Sequence, residues 1–380
     1  MPAASRRGEA GSLLLSLLLF AVLLFADGCG DSGTKPGQDA ATFGEKLRSV
    51  RRSYGIPAMA AAIIRDTSIT VEVDGVRKAG TDSTVLPADC FHLGSNTKAM
   101  TATLVAMLVE QGRVAWATRP IDVIPELAAV VHADYREITL EQLLSHRAGV
   151  PALDDIDDLA LIPPFSGSSM EQRKAFVLWL LAQPPEVPRG TFLYSNAGYG
   201  VAAAMIEQVM NESWEILMSA ELFDGLGVSG VFGWPAAHDP YQPWGHLYIG
   251  GFFVPHDPSN PAEWVPTVLA PAGDVSMAIG DYASFVRMHL RGLRGENTLV
   301  TAATMNKLHT PNGEYALGWE ILPIGGVPSS AHVGSGGTFY AFAVIQPSRN
   351  LALAILANSA DEVTDRAFAE LAAWILRYSQ

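Results

Sequence analysis

The sequence is poor in cysteine, in lysine and in basic charge. Its 380 residues hold two cysteines, Cys29 and Cys90, so no framework of disulfides can staple the fold. A chain of this length can bury a core large enough to do without one. The formal net charge is -14, which excludes the basic face that a nucleic-acid binder needs and fits an acidic soluble enzyme. Lysine occurs only at Lys35, Lys46, Lys78, Lys98, Lys174 and Lys307. The chain has no phosphate-binding loop, no dinucleotide fingerprint and no His-Glu-x-x-His pattern. Its nine histidines are scattered, so neither a metal site nor a cofactor is expected. It also lacks internal repeats and low-complexity tracts, and it shows no second domain boundary.

Long apolar runs are scarce too. The one near the start, Leu13 to Ala26, follows Arg6-Arg7 and is of secretory length, short for a membrane span. With Gly28-Cys29 behind it, the pattern resembles a bacterial lipoprotein signal, although Ala26-Asp27 depart from the usual leucine-then-small order. The resulting expectation is a signal peptide over 1–28, a tether over 29–41 after a lipidated Cys29, and one domain over 42–380. Ordinary secretion ranks next and an uncleaved anchor last. A lipid-anchored place in a bacterial cell envelope is expected, or else a periplasmic or secreted one. A lipidated Cys29 leaves Cys90 without a disulfide partner, as a core residue or a reactive thiol.

Periodicity predicts a helix from Thr42 to Tyr54 ended by Gly55, then a hairpin of Pro57–Ile64 with Ile69–Val73. Thr139 and Gln142 form a capping-box pattern opening a short helix, with Gly149 as its C′ residue. Helices are expected over Met170–Leu181, after Gly200 and over Asp281–Arg291. Residues 232–267, rich in proline, glycine and aromatics, read as a folded loop or small hairpin whose aromatics seek burial. Strands at Tyr315–Leu322, Ala331–Gly334, Thr338–Ile345 and Leu351–Asn358 precede a closing helix, Thr364–Tyr378. Strands at both ends with helices between predict one antiparallel sheet closed by the termini, with a mostly helical region inserted.

The stretch Phe91-His92-Leu93-Gly94-Ser95-Asn96-Thr97-Lys98 opens a helix that is apolar nearly all round and so should be buried. Ser95 and Lys98, three apart, share one face. A serine needs a base, and a lysine becomes one when burial lowers its pKa. The helix N-terminus favours a developing oxyanion. Ser-x-x-Lys recurs at Ser32–Lys35, in a stretch that reads as linker, so the motif alone is not decisive. Tyr194-x-Asn196 adds a phenol that can ionise more easily beside an ammonium. His332-Val333-Gly334-Ser335-Gly336-Gly337 adds a glycine-rich strand edge that lets a substrate backbone approach. His146 reads as a structural histidine near a helix end rather than a catalytic base.

In this order and spacing, Ser95-x-x-Lys98, Tyr194-x-Asn196 and His332-x-Gly334 resemble the serine β-lactamase-related family of the class C type. The likeness runs from about residue 42 to 380. It is reinforced by Leu143-Leu144-Ser145-His146-x-x-Gly149, by Gly190 through Gly198 and by Pro271-Ala272-Gly273-Asp274. The resemblance implies an α/β fold of the α+β type, β-lactamase/transpeptidase-like. It further implies an acyl-enzyme on Ser95, with Lys98 and Tyr194 sharing the base role. Asn196 would orient the lysine and the substrate amide. The N–H groups of Ser95 and Ser335 would form the oxyanion hole, with His332 and Gly334 supporting the substrate. His332 stands where the β-lactamases of the family place a lysine, and Val333 where they place a hydroxyl. Ester or D-amino-acid peptide hydrolysis is therefore ranked above β-lactam hydrolysis, with a catalytically silent penicillin-binding-like lipoprotein as the alternative of another class. The expected partners are a small ester, amide or D-amino-acid peptide, and a membrane reached through the lipid.

Overall fold

The computed structural model describes residues 41–259 and 265–378. The expected signal peptide, the expected tether with Cys29, and Trp264 lie outside the described residues. In chain order the elements that place the site are α1 (Phe43–Tyr54), β1 (Ala58–Ile64), β2 (Ile69–Gly75), β3 (Cys90–His92) and α2 (Thr97–Glu110). They continue with α3 (Leu140–Leu144), α4 (Ser169–Leu180), α5 (Asn196–Met210), β4 (Gly230–Phe232), β5 (His246–Ile249) and β6 (Phe252–Pro255). The last third holds β7 (Val275–Ala278), α6 (Ile279–Leu293), β8 (Glu320–Ile324), β9 (Val327–Ser335), β10 (Tyr340–Gln346), β11 (Leu351–Ala357) and α7 (Glu362–Tyr378).

A six-stranded antiparallel sheet, in the order β2-β1-β11-β10-β9-β8, joins the two ends of the chain. Period-two alternation gives it two apolar faces. Met59, Phe342, Leu353 and Ile355 pack with Leu47 and Val50 of α1 and with Phe368, Leu371 and Ile375 of α7. The opposite face presents Ala58, Ala60, Ala62, Ala341, Ala343 and Ala354 to the larger core. Small side chains there let α6 lie close against the sheet, and the inserted helical region follows behind it. This is the mixed architecture expected from the sequence.

Some local expectations change. A second sheet, β3-β7-β4, runs beneath the Gly94–Asn96 turn and has no counterpart in the sequence reading, because strands of three or four residues carry too little periodicity. The strand expected from Tyr315 starts only at Glu320. Helix α3 stops at Leu144, and His146 rather than a glycine takes the left-handed conformation, with φ 59°. Gly149 is not the C′ residue but a loop glycine with φ 78°. The 246–255 hairpin forms as expected, yet Tyr241 and Phe252 stay 78 % and 74 % exposed, so its aromatics are not all buried. Burial pushes the Cys90 thiol up to about 11, which leaves little thiolate and disfavours the reactive-thiol alternative.

Candidate active site

The catalytic turn is a one-turn 3₁₀ segment, Gly94–Asn96, running straight into α2. It is pressed against the end of β9. A Cβ on Gly94, whose φ is 51°, would lie 2.5 Å from the Ser335 nitrogen. A Cβ on Gly334 would lie 2.0 Å from the Leu93 carbonyl oxygen. Both positions therefore need glycine so that two backbones can meet. This alters the reading of the glycine-rich edge: Gly334 admits the catalytic turn of this same chain, not a substrate.

Asn96 bolts the turn down. Its Nδ2 donates to the Ala341 carbonyl on β10 at 3.2 Å, and its Oδ1 accepts from the Tyr282 hydroxyl on α6 at 2.7 Å. Both side chains are fully buried. Sequence reasoning missed this pair; the only signal was a polar residue inside the buried motif. Ser95 is thus fixed between the central sheet and α2.

Lys98 is 0 % exposed. Its Nζ donates to Ser95 Oγ at 3.1 Å, to Asn196 Oδ1 at 2.6 Å and to the Ala272 carbonyl at 2.9 Å. Burial holds its pKa well below the ordinary lysine range, and the nearby Asp154 carboxylate offsets only part of that. The segment Pro271–Asp274 acquires a physical role here. Ala272 holds the amine, and the Pro271 carbonyl accepts from Thr101 of α2 at 2.7 Å.

Tyr194 lies beside this lysine, whose Nζ is 4.8 Å from the ring centroid. Its hydroxyl is buried and completes no hydrogen bond. Burial pushes the phenol well above its ordinary value, with the Ser95 hydroxyl acting the other way. The easy ionisation expected of Tyr194 is therefore opposed: burial lowers the lysine's pKa and raises the phenol's, pushing each toward its neutral form. Asn196, the first residue of α5, spends both ends of its amide inside the protein, since its Nδ2 donates to the Leu153 carbonyl at 2.9 Å. It orients the lysine, and with one of its two Nδ2 donors used on Leu153 it still lines the cleft.

His332 is fully buried on β9. Its Nδ1 donates to the Val333 carbonyl at 2.6 Å, and its Nε2 accepts from the Tyr315 hydroxyl at 3.1 Å. Burial drives its pKa down to about 3, so it is neutral and turned away from any substrate carboxylate. Ser335, by contrast, reaches the cleft. Together Ser95, Ser335, Gly336, Gly337, Asn196 and Asp154 line one side of a cavity of about 270 Å³. Leu153, Leu159, Trp234, Val265, Pro266 and Leu269 give it an apolar wall. Trp234 comes from the 232–267 segment, as does Val265, so that segment does line the cleft. The described residues hold one acidic group of metal-ligand spacing, Asp154, Asp155 and Asp158, beside the cleft and largely exposed.

Known proteins agree with this layout. The family described as Beta-lactamase matches residues 40–377. Penicillin-binding protein 4 of Amycolatopsis lactamdurans is 25 % identical over 84 % of this chain and 85 % of its own length. The unguisins hydrolase ungD of Aspergillus violaceofuscus is 27 % identical over 86 % of this chain, which spans 63 % of that longer protein. Among solved structures, D-alanine carboxypeptidase AmpC from Burkholderia cenocepacia shares the fold, with a TM-score of 0.67 and 22 % identity over 87 % of this chain and 97 % of its own. With nearly its whole described length inside the family match and Ser95 at the cleft bonded to the buried Lys98, this chain belongs to the Beta-lactamase family and is a serine hydrolase.

Proposed function

We propose that this hydrolase is exported, anchored in a bacterial cell envelope by lipid on Cys29, and cleaves a small ester, amide or D-amino-acid peptide through an acyl-enzyme on Ser95. The observation that carries the chemistry is the buried Lys98 amine, 3.1 Å from the Ser95 hydroxyl, whose pKa burial holds well below the ordinary lysine range so that its proton is easily given up. Ser95 Oγ attacks the carbonyl carbon as its proton passes to the Lys98 amine, directly or through the Tyr194 hydroxyl. The carbonyl oxygen becomes an oxyanion held by the N–H groups of Ser95 and Ser335. Collapse expels the alcohol or amine, which takes the proton from Lys98. Water then attacks the acyl carbon, gives its proton to the same base, and the proton returns to Ser95 Oγ as the acid leaves.

The apolar wall favours an acyl group without charge. A class C-type β-lactamase is the second reading, favoured by the family itself. It is ranked lower because His332 is neutral, buried and turned away, and so does not supply the cation that would hold a β-lactam carboxylate.

The test is intact-mass spectrometry after brief mixing with p-nitrophenyl acetate or benzylpenicillin. A transient acetyl adduct on Ser95 with little penicillin adduct is expected, and Ser95→Ala should abolish both. A penicillin adduct that clears within seconds would favour the β-lactamase. Turnover retained by Ser95→Ala would overturn the acyl-enzyme reading. Cys29→Ala should move the protein from the membrane fraction to the soluble one.

A further inference from the structure

His146 lies outside the set of residues that touch the reacting groups, yet two costs converge on it. Its backbone sits at φ 59°, a region that residues with a Cβ adopt at a cost. Its Nε2 is buried without a hydrogen-bond partner. An ordinary core position would carry neither. Both are accounted for by what the residue holds. The His146 carbonyl accepts the N–H of Leu193 at 2.9 Å. Its Nδ1 accepts the N–H of Ser195 at 3.0 Å. These are the two neighbours of Tyr194, so one residue grips the chain on both sides of the phenol. The left-handed turn is what brings carbonyl and ring to the same segment, the loop that leads into α5.

The ring also backs the phenol. The His146 and Tyr194 ring centroids are 4.4 Å apart, and Tyr315 packs against the same imidazole at 4.5 Å and lies 6.2 Å from Tyr194. Ser195 is pinned again through its side chain, whose Oγ donates to the Pro151 carbonyl at 2.5 Å and accepts the Gly198 N–H at 3.1 Å. Because Nδ1 accepts, the proton of the neutral ring sits on Nε2. Burial, with Lys98 and His332 nearby, keeps the ring neutral, so the acceptor stays available.

We propose that His146 is a positioning residue that fixes Tyr194 against Ser95 and Lys98 by clamping Leu193 and Ser195. The proposal rests on the reading of Tyr194 as a proton carrier in acylation. Misplacing such a group by an ångström costs on the order of 100-fold in rate.

The experiment follows labelling of Ser95 by a fluorophosphonate, which needs no knowledge of the natural substrate. Serine displaces fluoride at phosphorus and loses its proton to the same base. His146→Asn places an amide oxygen near the Nδ1 position and tolerates positive φ. His146→Gln moves the acceptor out to the Nε2 position. The expected result is a maximal labelling rate within about fivefold of wild type for His146→Asn and about 100-fold lower for His146→Gln, with little change in the concentration for half-maximal rate. In a Tyr194→Phe background, His146→Gln should then cost less than about threefold, because the group it positions is gone. Should His146→Gln not fold, His146→Ala in the same two backgrounds carries the test.

Equal losses in both backgrounds, or no rescue by His146→Asn, would overturn the proposal and leave His146 a merely structural residue. Absence of labelling in the wild-type protein would instead sink the underlying acyl-enzyme reading. A Tyr194→Phe variant as fast as wild type would sink the role of Tyr194 itself.

Discussion

Acid should unfold this protein through its buried histidines, and the geometry says which ones. The His246 ring bridges two backbone groups: Nδ1 donates to the Asn358 carbonyl at 2.7 Å, and Nε2 accepts the Ala79 N–H at 2.9 Å. Protonation would set an N–H against an N–H, and burial already holds its pKa at about 4. His309 and His332 are likewise buried and held at about 3. In each case the folded pKa lies below the unfolded value of about 6.5, so the unfolded chain binds more protons between the two, and stability falls as pH drops from about 6.5. From pH 7.5 to pH 5 each of the three loses about 2 kcal/mol by linkage.

Glu320 works the other way. Burial, with Glu314 nearby, raises its carboxyl to about 8. Its protonated form belongs to the folded state, and lowering the pH over the same interval returns about 3 kcal/mol. For these four groups the balance is a loss of about 3 kcal/mol, which His146 and His289, likewise held low by burial, deepen; that is a large share of the roughly 5–15 kcal/mol that holds a domain folded. Urea unfolding of residues 41–380 at pH values between 5 and 7.5 gives the proton uptake directly from the slope. His246→Gln should remove about one proton from that slope near pH 5.5, and Glu320→Gln should add about one. A slope unmoved by either substitution would refute the assignment of the protons to these groups.

Four further outcomes follow from the same contacts. Lys98→Arg, which cannot lose its proton, should abolish Ser95 acylation. In the wild type the acylation rate should climb as pH rises through the depressed Lys98 pKa, because the neutral amine is the active form; a rate that falls as pH rises would contradict this. Gly334→Ala should cost about 1–3 kcal/mol and slow acylation, since its Cβ meets the Leu93 carbonyl; an unchanged melting temperature would argue against that contact. Arg173 is buried, with its guanidinium on Glu207 at 2.6 Å and Glu215 at 2.7 Å, and it donates to the Thr267 carbonyl at 3.0 Å behind the cleft wall. Arg173→Ala leaves Glu207 buried and unpaired, for an expected loss of about 3–5 kcal/mol in denaturant titration, part of which Glu207→Gln should restore.

Where the signal was local, the sequence carried it. Thr42 and Gly55 cap α1 as read, and the hairpin of β1 and β2 follows from two apolar runs and a turn. The nearly all-apolar helix after Lys98 required burial, and burial is what makes a lysine a base. Spacing placed Ser95 and Lys98 on one face, and the order of three short motifs named the family.

Tertiary packing decided the rest. No spacing rule brings Asn196, 98 residues away, to the Lys98 amine, or closes Asn96 onto β10 and α6. The opposite shifts of Lys98, downward, and Tyr194, upward, depend on which charged form burial penalises, and burial is a property of the assembled core. His332 was read as facing a substrate, but strand register and Tyr315 turned it inward. Gly334 was read as open to a ligand, but the catalytic turn fills that space. Residue types and local periodicity fixed which groups are present and which elements carry them. Long-range packing alone fixed which way each group points, what it touches and which one holds the proton, because those depend on contacts between segments far apart in the chain.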